Sequence, residues 1–323
     1  MMSSKWGRSK VLGLAIVSLM VVTACSGTAT PSAAAQATVG LVAFDSTSPI
    51  DKIFADSTKA KLESLGNKVL MQDPKGDAGQ ANTICTQYIT AKVNAIIVTV
   101  FAQDQMAQCN AGAKDANIPV FYLGTPLLDG MAGAVSFVSA KPVNDAFIKY
   151  VVDNKITDVL TLDYSPGTPC RLRAEYRTKL LAEQAPNVKV SKHEFPIPGQ
   201  TVDAQNATAT WLTAHPEGAG KYAIWACFAD PTAGAGAALN QVQRTDVAIF
   251  TWDFNKTILP AIQSGQIAAD AYLNPEDVGS TAGDMVQAYL NGDTTPKGVD
   301  SPTMILTKDN VDAFIKDNPD AVK

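Results

Sequence analysis

Val39-Gly40-Leu41-Val42-Ala43-Phe44 is a short apolar run, and the alternation that it begins decides the fold. Residues 50–64 carry apolar side chains at helical spacing, 68–71 form a second short run, and 79–90 return to the helical period. Runs at 95–100, 120–123 and 134–138, with a helical segment at 103–116, complete this half. Short apolar runs alternating with helical segments call for parallel strands joined by crossover helices. The rhythm then restarts, with predicted helices at 143–154, 171–184, 204–214, 232–241 and 255–264, and strands at 158–162, 188–195, 222–226 and 247–251. A strand at 268–273, a helix at 277–291 and a short strand near 303–306 are long enough to cross back. The expectation is α/β: two similar doubly wound parallel-sheet lobes, 39–139 plus 274–302 and 140–273 plus 303–323, joined by a multi-crossing hinge. In open parallel sheets ligands bind beyond the carboxyl ends of the strands, so two such sheets facing each other make one shared cleft.

Working outward, Lys5, Arg8 and Lys10 precede the uncharged apolar run 11–22, the pattern of a secretory signal peptide. That run is short of the roughly 20 residues a spanning helix needs. It ends in Val22-Thr23-Ala24-Cys25, which matches the site at which bacterial prolipoproteins are lipidated on the cysteine and cut just before it. Residues 1–24 are therefore read as signal, Cys25 as the lipid carrier, and 25–38, rich in Ser, Ala, Thr, Gly and Pro, as a flexible tether. The expected location is extracytoplasmic, anchored to the membrane by lipid only. Cleavage removes three cationic side chains and no acidic one, moving the net charge from −5 to −8. That excludes a basic face for nucleic acid.

With Cys25 lipidated, Cys85, Cys109, Cys170 and Cys227 remain in an oxidising compartment, and four cysteines allow three pairings. Cys85–Cys109 with Cys170–Cys227 keeps each pair within one half of the chain; four free, buried thiols are the alternative. No spacing suggests a zinc site or other metal, and no cofactor is expected. His193 and His215 are the only histidines, and neither belongs to a nucleophile–base–orienter set. Gly234-Ala235-Gly236-Ala237-Ala238-Leu239 only loosely resembles a dinucleotide loop and falls within a predicted helix. An enzyme is not expected.

The chain resembles the ribose- and galactose-type periplasmic binding proteins, which share their fold with the ligand domain of lactose-type repressors. The resemblance rests on Val39-Gly40-Leu41-Val42 with Ser48-Pro49, on Ala116-Asn117-Ile118-Pro119-Val120, and on Leu212-Thr213-Ala214-His215-Pro216. It is completed by Thr251-Trp252-Asp253 and Ile262-Gln263-Ser264-Gly265-Gln266-Ile267-Ala268-Ala269. A repressor would need a basic helix-turn-helix where this chain has a signal peptide. The resemblance implies that Asp253 accepts from ligand hydroxyls, that Arg171 at a helix start reaches the ligand, and that Asp230 contacts it. A carboxylate suits vicinal diols because it only accepts and has two oxygens. Capping of a following helix is the competing role for Asp253 and Asp230, and an exposed helix-start position is the one for Arg171.

Departures from the family pattern bear on the ligand. Gly124-Thr125 stands where sugar binders often carry Asp-Arg, Ile50 and Asp51 replace stacking aromatics, and Leu273 with Asn274 takes the place of a Gln. Aromatic contacts are expected from Phe44, Tyr122, Phe137, Phe228 or Trp252, the last competing with a core role. The candidate ligand-binding set is Phe44, Asp45, Ser48, Asp51, Thr125, Arg171, Asp230, Trp252, Asp253 and Asn274. A sugar or polyol, a nucleoside-like ring, or a hydroxylated or carboxylated small molecule are the open ligand classes. The expected mechanism is hinge closure in a monomer that docks on the membrane permease of an ABC importer; presentation to a chemoreceptor or receptor kinase is the alternative.

Overall fold

The computed structural model describes residues 36–322. The signal peptide, Cys25 and most of the tether expected from the sequence lie outside the described residues.

The first sheet is built from β1 (Thr38–Val42), β2 (Lys68–Gln72), β3 (Ala95–Thr99), β4 (Val120–Leu123), β5 (Gly133–Ser136) and β11 (Lys297–Asp300), in the order β11-β5-β4-β3-β1-β2. The second contains β6 (Asp158–Asp163), β7 (Lys189–Glu194), β8 (Tyr222–Ala226), β9 (Ala248–Trp252), β10 (Ile267–Tyr272) and β12 (Met304–Leu306), in the order β12-β10-β9-β8-β6-β7. All pairings are parallel except β10 with β12. The central strands β3 and β8 are buried at every position, as helices on both faces require, whereas the edge strands β2 and β7 are largely exposed and carry Lys and Gln or Glu.

The helices are α1 (Pro49–Ser64), α2 (Ala78–Thr90), α3 (Ala107–Asp115), α4 (Ala140–Asp153), α5 (Thr168–Gln184), α6 (Gln200–Ala214), α7 (Ala229–Gln241), α8 (Leu259–Ser264), α9 (Pro275–Leu290) and α10 (Val311–Asp317). Several begin earlier than their apolar period suggests, because proline serves the first turn where no amide partner is needed. Pro49, Pro169 and Pro275 hold this place in α1, α5 and α9. Helix α8 instead begins four residues later than expected. Two disulfides are present: Cys85–Cys109 ties α2 to α3, and Cys170–Cys227 ties the first turn of α5 to the residue after β8.

The chain passes between the sheets three times, at residues 137–139, 273–274 and 301–303. The first and third crossings are bound to each other, and the first to the end of β9. Ser139 Oγ lies 2.8 Å from Thr303 Oγ1, Ser301 N donates to Ser136 O at 2.7 Å, and Trp252 Nε1 donates to Ser139 O at 2.9 Å.

Candidate functional site

Both sheets have a switch point, between β1 and β3 and between β6 and β8, where the order reverses and the loops part. The carboxyl ends of these strands face each other, and the lobes are closed: Thr168 N donates to Val100 O at 3.1 Å, and Phe101 and Gly167 form a single antiparallel bridge. Val100 has φ of 64°, a left-handed conformation that a β-branched residue adopts only at a cost of about 1–3 kcal/mol. Its amide donates to Leu123 O at 2.7 Å, so the strained residue is fastened on both sides.

Between the lobes lies a small cavity of about 30 Å³, partly open to solvent. Its walls are aromatic and aliphatic. Phe44, Phe54 and Phe137 come from the first lobe and Tyr164, Ile197 and Phe228 from the second. Three charged side chains enter it: Asp51 from α1, Arg173 from α5 and Asp253 from just after β9.

Arg173 is fully buried and every N–H is used. Nη1 and Nη2 form a forked pair with Asp253 at 2.7 and 2.9 Å, Nη1 also donates to Cys227 O, Nη2 to Phe137 O and Nε to Val138 O. Behind it Arg177 pairs with Asp163 at 2.7 Å. The guanidinium of Arg177 stands 4.2 Å from the ring centre of Trp225, and that of Arg173 5.3 Å from that of Trp252. These are cation–π distances.

Three of the ten candidate residues, Phe44, Asp51 and Asp253, line the cavity. Asp253 is not a cap: the next helix begins six residues later, and its carboxylate is taken up by Arg173. Arg171 does not line the cavity, whereas Arg173, two residues on, does. Helix α5 starts at Thr168, which turns Arg171 to a partly exposed flank beside Glu175 and puts Cys170, Arg173 and Arg177 together on the inner face. Their i, i+3, i+7 spacing was the signal in the sequence. Trp252 is a core residue, fully buried edge-on against Trp225. Asn274 caps α9, accepting from the amides of Glu276 and Asp277. Thr125 is buried in a first-lobe turn with its hydroxyl on Pro126 O, and Tyr122 donates to Asn110.

Asp45, Ser48 and Asp230 are buried but do not line the cavity. Asp45 accepts from the amide and hydroxyl of Thr47, Ser48 is the buried residue that precedes α1, and Asp230 accepts from the side-chain amides of Gln200 and Asn255. Phe54, Tyr164 and Ile197 line the site without having been singled out in the sequence. Phe54 and Asp51 are one helical turn apart on α1, so one buried face carries both.

Burial pushes the Asp51 carboxyl well above the ordinary range, opposed by the Ser48 hydroxyl and reinforced by Asp230, Asp253 and Asp45. Burial also raises Asp230, which its two amide donors hold down. Asp270 on β10 is wholly buried, and neither carboxyl oxygen has a hydrogen-bond partner. Burial and the nearby Asp253 push it well above the ordinary range, with Arg173 opposing. A carboxyl raised in the fold contributes its full stability below the unfolded-state pKa of roughly 3.9 and loses it as pH rises through the folded value. Asp270→Asn is therefore expected to melt higher than the parent at pH 7 by a few degrees, with the gain shrinking towards pH 4. Thermal unfolding at the two pH values checks this.

Two α/β lobes closed over a cavity at their strand ends define a cleft-type solute-binding protein. Residues 39–294 match the family model described as a periplasmic binding protein domain, and the chain belongs to that family. It is accordingly an extracytoplasmic solute-binding protein. Among curated proteins, the D-apiose import binding protein of Paraburkholderia graminis is 24% identical over 290 residues, covering 87% of this chain and 90% of its own. The ribose import binding protein RbsB of Escherichia coli is 22% identical over 283 residues, covering 86% and 93%. Among solved structures, an ABC transporter solute-binding protein from Agrobacterium vitis with bound allitol superimposes with a TM-score of 0.79 at 22% identity, covering 87% of this chain and 99% of that one. Among the described residues no helix is long and apolar enough to cross a membrane.

Proposed function

We propose that this protein captures a small polyhydroxylated solute, a sugar or polyol, and delivers it to the membrane permease of an ABC importer. It acts as a monomer held at the outer face of the membrane by a lipid on Cys25. Lobes 39–139 plus 274–302 and 140–273 plus 303–323 open and close about the three crossings, and ligand shifts that equilibrium towards the closed form. The observation that carries this reading is the cavity itself. Aromatic faces from both lobes suit the C–H faces of a carbohydrate, and the oxygens of Asp51 and Asp253 suit its hydroxyl donors. Relatives named for the import of D-apiose and ribose, and one solved with allitol, support the ligand class.

The test is a thermal-shift screen of the chain from residue 26 onward, which contains the compact unit 36–323. Pentoses, hexoses, alditols, inositols, nucleosides and hydroxy acids are the panel. A ligand at 100 times its dissociation constant adds about 2.7 kcal/mol, which raises the melting temperature by roughly 5 °C. The expected hit is a sugar or polyol, lost in Asp253→Ala. A hit confined to nucleosides or hydroxy acids would reject the ligand class and keep the cleft.

A further inference from the structure

The cavity is rich in hydrogen-bond acceptors and poor in donors. Among the side chains that line it, only Arg173 and Tyr164 carry N–H or O–H groups when the carboxyls are ionised. All five N–H of Arg173 are already given to Asp253 and to the carbonyls of Phe137, Val138 and Cys227. The acceptors are in surplus. Asp51 is more than nine-tenths buried at the wall and, among the described residues, has no cationic partner. Asp45 and Asp230 are held by neutral donors only, Thr47 for the one and Gln200 and Asn255 for the other. Four carboxyl groups, two at the wall and two within electrostatic reach of Asp51, thus stand against the one guanidinium at the wall, and Asp253 alone is paired with it.

A neutral hydroxyl both donates and accepts, so each one brought here needs a donor the lining does not supply. An ammonium group has three donors and no acceptor. It would also add the missing charge beside Asp51, between ring faces that attract cations. The rings that line the cavity in this region are Phe44, Phe54, Phe137 and Tyr164, with Phe54 and Phe137 stacked on each other at 4.4 Å. A carboxylate ligand fits worst, since it brings more acceptors and more negative charge.

We infer that the solute is a cationic amino sugar or amino polyol whose ammonium group is received by Asp51 within the aromatic walls. This rests on the sugar or polyol reading above and narrows it. The raised affinity of the buried Asp51 carboxyl for its proton agrees with a site that lacks its counter-charge until ligand arrives.

Matched pairs test it by calorimetry on the chain from residue 26 onward: glycerol with 2-amino-1,3-propanediol, glucitol with 1-amino-1-deoxyglucitol, and glucose with 2-amino-2-deoxyglucose, with gluconate as the acidic member. The expected result is that in every pair that binds, the amino member binds at least about ten-fold tighter, and gluconate not at all. Asp51→Asn should lower that preference to within about two-fold while melting no lower than the parent, which shows that it is folded. A neutral member that binds as tightly as its amino counterpart overturns the inference and leaves the polyol reading standing. So does an amino preference that survives in Asp51→Asn. If neither these probes nor any sugar or polyol in the wider screen binds, both readings fall together.

Discussion

Arg173→Met is expected to destabilise the protein by about 3–5 kcal/mol and to abolish ligand binding. The substitution keeps most of the aliphatic volume but removes the charge that answers Asp253, and a buried charge deprived of its partner costs about that much. The loss does not stop at one ion pair. The carbonyls of Phe137 and Val138, which belong to the first crossing, and that of Cys227, which adjoins the second-lobe disulfide, lose their donors as well. Arg173 therefore fastens hinge, sheet end and cleft floor with one group. Denaturant titration measures the effect, and Arg173→Met with Asp253→Leu separates its origin. If the cost is the orphaned carboxylate, the double variant recovers part of the stability, because a buried ion pair replaced by apolar groups is often neutral. If the cost is the loss of the hinge carbonyls' donor, the double variant is no better than the single one. A single-variant cost below about 1 kcal/mol would mean that the pair is solvated and the clamp does not exist.

The second large effect is in α7, where Gly234→Ala and Gly236→Ala should move stability in opposite directions. On helix propensity alone either change gains about 1 kcal/mol. At Gly234, however, an added Cβ would stand 2.1 Å from the carbonyl oxygen of Thr201 and 3.0 Å from the amide nitrogen of Gln205, both backbone atoms of α6. Neither can swing aside as a side-chain end would, so α6 must shift. Overpacking of this kind costs typically 1–3 kcal/mol and sometimes more. The clash outweighs the propensity, and a net loss of about 2 kcal/mol is expected. The shift would also disturb Gln200 at the start of α6, which supports Asp230. At Gly236 the nearest atom is Gln266 Oε1 at 3.7 Å, an ordinary contact, so propensity wins and the variant gains up to about 1 kcal/mol. Melting curves of the two variants decide it, and equal shifts of the same sign would show that α6 and α7 are not in backbone contact. The small residues that faintly suggested a dinucleotide loop are thus a helix-packing surface.

Some of the site was legible along the chain. Phe44 follows the first strand and Asp253 the ninth, and the position of a residue beyond the carboxyl end of a parallel strand is enough to put it near the cleft. Asp51 entered the candidate set because it stands, with Ile50, where relatives carry stacking aromatics, and it lies on α1 at the cavity wall. The arginine did not, since side-chain direction on a helix turns by 100° per residue and depends on where the helix begins. Strand β11, Lys297-Gly298-Val299-Asp300, was missed for a different reason: it is exposed along its length, so it has no apolar pattern, and only its register with β5 makes it a strand. Helix α10 was missed because only Val311 and Phe314 bury against the fold.

The order of apolar runs and helical segments by itself determined two doubly wound sheets, a hinge of several crossings and a cleft at their facing edges, because periodicity is a local property that each segment carries alone. Tertiary structure decided which charges meet. Arg173 and Asp253 are 80 residues apart, and Asp51 lies in the other lobe from both, so no local pattern encodes their meeting. Their distances, the commitment of every guanidinium N–H and the surplus of acceptors around Asp51 arise only when two separately folded sheets close on one another and remove water from the groups between them.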